Sequence, residues 1–193
     1  QEALKEHTRA AAPMQWAMTQ NNLGNAWRGM PTENATEDLT KAIDAYQEAL
    51  KERTREAAPM EWARTQNNLG IAWGSMPAGD RTANLTKAIA AFEEALKERT
   101  RNAAPMEWAT TKSNLGTVWM ERAEQHGQDQ RELLRRAIAH GKAALRVLTA
   151  EAFPGDHAIT IRNLTIMRRR YEALGYYNSP PGSVPFDDIP PAE

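Results

Sequence analysis

The chain has 193 residues, 41% hydrophobic and 25% charged, which suits a soluble protein with either one large core or several stacked repeats. A net charge of −1, from 24 basic and 25 acidic residues, gives no electrostatic footprint for a polyanion and points away from nucleic acid. The absence of cysteine excludes disulfides, thiolate metal sites and cysteine nucleophiles. With no secretory signal or long apolar run in view, no membrane span and a cytoplasmic location are expected.

In chain order, Gln1 to Glu6 repeats the hexapeptide Gln47 to Glu52, so residues 1–11 read as the remnant of a helix and the chain as a piece of a longer array or a processed product. Pro13 then opens a helix over 13–30, where Trp16, Leu23, Trp27 and Met30 form a stripe at helical spacing. A turn-rich connector from Pro31 to Thr36 leads to a helix over 36–57. Its apolar face is Leu39, Ala42, Ile43, Tyr46, Ala49 and Leu50, and its polar face includes Lys41, Asp44, Gln47, Glu48 and Lys51.

Pro59 and Pro105 repeat the device of Pro13, predicting helices over 59–76 and 105–125, each paired with a second helix over 83–103 or 129–151. Pro77 to Ala83 forms the second connector. In the third copy His126-Gly127-Gln128 serves, in a loop three residues longer. A last helix is expected over 155–175, with Asp156 as its N-cap. Residues 176–193, with five prolines in the last 14 positions, form an acidic tail of extended character.

The pairs are copies. Asn-Leu-Gly-x-x-Trp occurs at Asn22 to Trp27, Asn68 to Trp73 and Asn114 to Trp119, always 46 residues apart. Gln15 to Pro31 matches Glu61 to Pro77 at 12 of 17 positions, and Ala49 to Ala63 matches Ala95 to Ala109 at 14 of 15. A unit copied at fixed spacing buries its apolar face on its neighbours. The organisation is therefore a half repeat (1–11), repeats 13–57, 59–103 and 105–151, a final helix 155–175, and the tail. Gly24, Gly70 and Gly116 permit close helix approach, and the six tryptophans read as core between repeats.

Leu23-Gly24-x-x-Trp27 followed by Ala42-x-x-x-Tyr46-x-x-Ala49 resembles the tetratricopeptide repeat, and Leu69, Gly70, Trp73, Ala88, Phe92 and Ala95 renew the match. The third copy keeps Leu115, Gly116, Trp119, Ala137 and Ala144 but places Gly141 at the aromatic position. The fourth keeps only Asn163-Leu164, with Thr165 and Arg168 in place of glycine and tryptophan. The unit of 46 residues is longer than the usual 34 and is similar to kinesin-light-chain-type repeats and to bacterial arrays beside caspase-like proteases. The resemblance implies an all-α, right-handed α-solenoid and an interaction scaffold, with its concave groove lined by first helices.

On that resemblance Asn22, Asn68, Asn114 and Asn163 line the groove, with Asn25, Arg64 and Thr110 at neighbouring groove positions. An amide both donates and accepts, so an asparagine ladder can pair with the backbone of an extended peptide. The competing reading is that these amides bond neighbouring helices or face water. The family's clamp for a C-terminal carboxylate is not supported, because Asn21, Thr110 and Asn114 stand where it needs cations.

No enzyme is expected. His7, His126, His140 and His157 share no metal-ligand spacing, no nucleophile constellation links them, and no phosphate loop or dinucleotide fingerprint exists, so neither cofactor nor metal is implied. His157 stands at the position of Trp62, and Arg168 to Arg170 reads as a solvated or tail-contacting face.

The expected function is capture of a protein or peptide partner in the groove. The alternatives are a self-assembly module or the regulatory arm of a larger signalling or protease protein. The tail, with Val184, Phe186 and Ile189 as apolar anchors, is expected to lie along a groove or helix face of its own chain or a neighbour's.

Overall fold

The computed structural model describes residues 8–30, 33–125, 129–175 and 189–192, and among them are seven α-helices and no strand. The chain divides into two compact units, Gln1–Arg99 and Thr100–Glu193. The first holds α1 (Pro13–Arg28), α2 (Ala35–Leu50), α3 (Pro59–Ser75) and α4 (Arg81–Leu96). The second holds α5 (Pro105–Gln125), α6 (Gln130–Leu145) and α7 (Pro154–Gly175).

Prolines start four of these helices, as expected, because the first turn has no use for the missing amide hydrogen. The helix α2 is capped by Asn34, which accepts from the Glu37 amide, and α4 by Asp80, which accepts from the amides of Thr82 and Ala83. Helix α7 begins at Pro154, so Asp156 lies inside its first turn and is not the expected N-cap. Helix α1 stops at Arg28, which leaves Met30 exposed rather than in the apolar stripe.

Second helices end several residues earlier than their polar-apolar pattern suggested, at Leu50, Leu96 and Leu145. The cause is a threonine turn. Thr54 Oγ1 accepts from the Ala57 amide and Thr54 O accepts from the Ala58 amide, which turns the chain just before Pro59. Thr8, Thr100 and Thr149 make the same pair of contacts with Ala11 and Ala12, Ala103 and Ala104, and Ala152 and Phe153. The remnant helix drawn over 1–11 falls largely outside the described residues, as do Pro31, His126 to Gln128 and the tail over 176–188.

In the first unit α1 packs on α2, α3 on α4, and α2 on α3. Leu39, Ala42, Ile43, Tyr46, Leu69, Ala72, Met76 and Ala91 form its core, edged by Trp27, Leu50 and Trp73. The repeat glycines work as close-approach points: a Cβ at Gly24 would meet the Tyr46 ring at 2.5 Å, and one at Gly70 the Phe92 ring at 2.8 Å. Trp27 and Trp73 are only half-buried, and a lysine from the paired helix covers each, Lys41 at 4.5 Å and Lys87 at 4.0 Å from the ring centroid.

In the second unit α5 packs on α6 and α6 on α7. With no aromatic at 141, Gly116 comes directly against the α6 backbone, and Leu164 of α7 fills the space over Gly141, 2.8 Å from where a Cβ would stand. Leu164, Met167 and Tyr171 face inward from α7, whereas Thr165 and Arg168, at the glycine and tryptophan positions, are exposed. The fourth copy has thus lost the residues that would receive a second helix. At the end of the chain Ile189 is buried on the same unit: its carbonyl accepts from Lys142 Nζ at 3.1 Å, and the Ala192 amide donates to Ala139 O at 2.9 Å. The last part of the tail therefore lies along α6 of its own chain.

Candidate functional site at the first-helix faces

In the first unit a hydrogen-bonded seam joins α1 to α3. Asn21 Oδ1 accepts from Thr65 Oγ1 at 3.2 Å and from Asn68 Nδ2 at 3.3 Å, while Asn25 Oδ1 accepts from Asn68 Nδ2 at 3.2 Å and from the Tyr46 hydroxyl at 2.8 Å. Burial raises the Tyr46 pKa, with Arg28 opposing, which keeps the phenol protonated and donating. Of the expected groove residues, Asn25 and Asn68 are brought together here, and both spend amide groups on neighbouring helices. Asn22 is exposed on α1, and the adjacent Asn21, 1% exposed, is the one that enters the seam.

The second unit repeats this seam between α5 and α7 with different side chains. Thr117 Oγ1 accepts from Asn163 Nδ2 at 3.2 Å, and the hydroxyls of Ser113 and Thr160 lie 3.1 Å apart. Asn163 thus holds a helix to a helix, in the position that Asn68 has in the first unit. Asn114 is half-buried on α5, and Thr110 turns its hydroxyl to its own helix, donating to Met106 O at 2.9 Å. Arg168 and Arg170 pair with Glu172 and Glu124, in keeping with a solvated face. His157 bonds Leu148 O through Nδ1 at 2.7 Å, a packing role.

The first unit also holds a cavity of about 440 Å³, lined by Met14, Gln15, Met18, Arg53, Glu61 and Arg64. It sits between the first turns of α1 and α3, beside the seam. Arg53 comes from the turn after α2 and is buried, with only 3% of its side chain exposed. Its Nη2 lies 3.2 Å from Glu61 Oε2, and its Nη1 donates to Thr65 Oγ1 at 3.2 Å. Burial lowers the Arg53 pKa, Glu61 raises it and Arg64 lowers it further. Arg64 also pairs with Glu61, so one carboxylate serves two guanidinium groups.

The expected site held Arg64 but not Arg53, Met14 or Gln15. A signal was available: an arginine recurs at 53 and 99 within the most strictly copied segment, and both are buried, which a solvated charge does not require. Among the described residues no group of three or more His, Asp or Glu side chains could hold a metal ion, and no helix is long and apolar enough to cross a membrane. No family model, curated protein or solved structure matches the chain.

Proposed function

We propose that this chain is a protein-interaction scaffold built from tetratricopeptide-type repeats, and that it takes an extended segment of a partner along the first-helix face of its first unit. The observation that carries this reading is the open cavity between α1 and α3, bordered by the exposed side chains of Met14 and Met18. Large apolar side chains left in water beside a concavity are costly unless something covers them. Asn22 and Arg64, both exposed next to them, supply the polar contacts that fix a backbone. A cysteine-free scaffold of this kind fits a cytoplasmic setting.

Because Asn68 also ties α1 to α3, its removal perturbs the fold along with the site. Met18→Glu and Asn22→Ala change exposed side chains, so their effect on stability should stay within roughly 0.5 kcal/mol. Affinity capture from the source lysate with wild type beside each variant tests the proposal. Partners retained by wild type should be lost with Met18→Glu, and identical captured sets from all three proteins would refute the assignment of this face.

A further inference from the structure

We propose that the face of α6 carrying Ala139, Lys142 and Ala143 is a recognition site for an extended segment of a partner protein, in which two acidic residues, an isoleucine and two prolines follow one another. Residues 189–192 of the chain itself show how such a segment is read. The site lies in the second unit and does not depend on the first-helix face of the first.

The residues of α6 make this face available. Ala137, Gly141 and Ala144 are buried along one side of the helix, where the Ala137 carbonyl comes against Gly116 and Leu164 comes against Gly141. At about 100° per residue, Ala139, Lys142 and Ala143 fall on the other side, away from those contacts. In α2 the corresponding residues are Asp44, Gln47 and Glu48, and in α4 they are Ala90, Glu93 and Glu94. There Glu48 and Glu94 pair with Lys51 and Lys97 in solvated contacts. In α6 every one of these acids has gone, and Ala143 is 0% exposed.

The bound segment uses the groups thereby uncovered. A helical carbonyl points along the axis toward the residue four positions on, so the Ala139 oxygen stands beneath residue 143, and an alanine there leaves it open. The Ala192 amide donates to that oxygen at 2.9 Å, and Lys142 Nζ donates to the Ile189 carbonyl at 3.1 Å. Ile189 itself is buried. Between these contacts stand Pro190 and Pro191, which have no amide hydrogen to satisfy and hold a backbone extended before it binds. Four consecutive residues thus supply one apolar side chain, one acceptor and one donor, and none of these requires a free terminus or the covalent link to α7.

Charge selects the partner. Helix α6 has four basic residues, Arg131, Arg135, Arg136 and Lys142, against Glu132 alone, whereas α2 has four acidic residues against Lys41 alone. A cationic helix favours an acidic segment, and in the chain's own copy Asp187 and Asp188 come directly before Ile189. The tether raises the local concentration of this copy to roughly the millimolar range. The tail therefore masks the site, and a partner segment has to displace it.

NMR titration of the full chain carrying Ile189→Asp, which unseats the tail at constant length, with acetyl-Asp-Asp-Ile-Pro-Pro-Ala-amide tests this. The amides of Ala139 and Ala143 and the side chain of Lys142 should shift, and the wild-type chain should bind the peptide about tenfold more weakly because its own segment competes. Replacing the peptide's isoleucine with alanine should weaken binding about tenfold, and replacing both of its aspartates with asparagine about threefold. In the Ile189→Asp background, Ala143→Glu should abolish binding, and so should Lys142→Glu. Each copies a residue that an earlier repeat carries at the same position, Glu94 or Glu93, so helicity and melting should not change.

No binding to the Ile189→Asp chain, equal binding to wild type, shifts centred away from α6, equal affinity for the altered peptides, or indifference to Ala143→Glu and Lys142→Glu overturns the proposal. Wild-type dimers that Ile189→Asp dissolves, seen by analytical ultracentrifugation, would give the site to the tail of a second copy and overturn a partner segment as well.

Discussion

Gly70 and Phe92 compete for one space: a Cβ on residue 70 would stand 2.8 Å from Cε1 of the Phe92 ring. The glycine therefore lets α3 lie against the aromatic of α4, and the ring is the side chain that fills the gap. Gly70→Ala should destabilise the protein by roughly 1–3 kcal/mol, the usual cost of overpacking. Adding Phe92→Leu should recover part of that loss, because the smaller side chain yields the volume. Urea denaturation of the two single variants and the double variant measures this. A neutral Gly70→Ala would show that the approach is loose.

The same pairing shows what the sequence could and could not reveal. The seven helices of the described residues, their order and the four proline starts follow from a 46-residue repeat and an apolar stripe, because copying fixes the register of every element at once. Helix ends were less visible. The run from Lys51 to Arg55 contains no glycine or proline, and it turns because Thr54 Oγ1 takes the Ala57 amide. The recurrence of Thr8, Thr54, Thr100 and Thr149 was the available sign. At the candidate site the difficulty was a choice between neighbours: Asn21 and Asn22 lie about 100° apart on a helix of 3.6 residues per turn, and periodicity alone does not say which one enters the seam. Burial does, at 1% exposure for Asn21. Arg53 was hidden for another reason, since charged residues in turns ordinarily face water.

Lys87 lies 4.0 Å from the Trp73 ring centroid, and the same arrangement recurs as Lys41 over Trp27. Trp73 is half-buried, so Trp73→Ala should fall toward the lower end of the roughly 3–5 kcal/mol seen for such truncations. Lys87→Ala should cost about 0.5–1 kcal/mol. A double-mutant cycle should return a coupling of about that size, and a coupling near zero would reduce the contact to mere proximity.

His140 makes stability depend on pH. Its Nδ1 is buried without a hydrogen-bond partner, and burial, then Lys112 of α5 and Arg136 of α6, lower its pKa from 6.5 to about 4. The unfolded chain takes up the proton near 6.5 and the folded chain only near 4, so the stability present above 6.5 is lost as pH falls through that window. The loss amounts to roughly 3 kcal/mol at about 1.4 kcal/mol per pKa unit. His140→Ala, which copies Ala45 and Ala91 of the other repeats, should flatten the profile between pH 4 and 6.5. An unchanged slope would place the titration elsewhere.

The tail segment on α6 should detach as a unit. Ile189 is 2% exposed and supplies the apolar part of a contact completed by Lys142 and Ala139. In the earlier repeats the α6 positions 139 and 143 hold Asp44 and Glu48, or Ala90 and Glu94, whereas here both are alanine. Removing the isoleucine should weaken the contact by about 1.5–3 kcal/mol. Ile189→Ala should therefore speed exchange of the Ala192 amide at least tenfold while α1 to α4 keep their protection. Unaltered exchange would mean that the backbone bonds alone hold the segment.

Tyr46 and Asn25 change together between repeats, and that covariation gives the sharpest test of the seam. The Tyr46 hydroxyl donates to Asn25 Oδ1 at 2.8 Å. In the second repeat the corresponding residues are Phe92 and Ile71, a pair with neither donor nor acceptor. Tyr46→Phe alone removes one hydrogen bond and leaves Asn25 its bond from Asn68, a loss of about 1 kcal/mol. Asn25→Ile alone is worse, because it strips the acceptor from a buried phenol and from one Asn68 bond. Making both changes transplants the second repeat's solution, so the double variant should cost about 1 kcal/mol less than the sum of the single variants. Strict additivity in thermal or urea melts would show that the hydroxyl and the amide do not act as a pair.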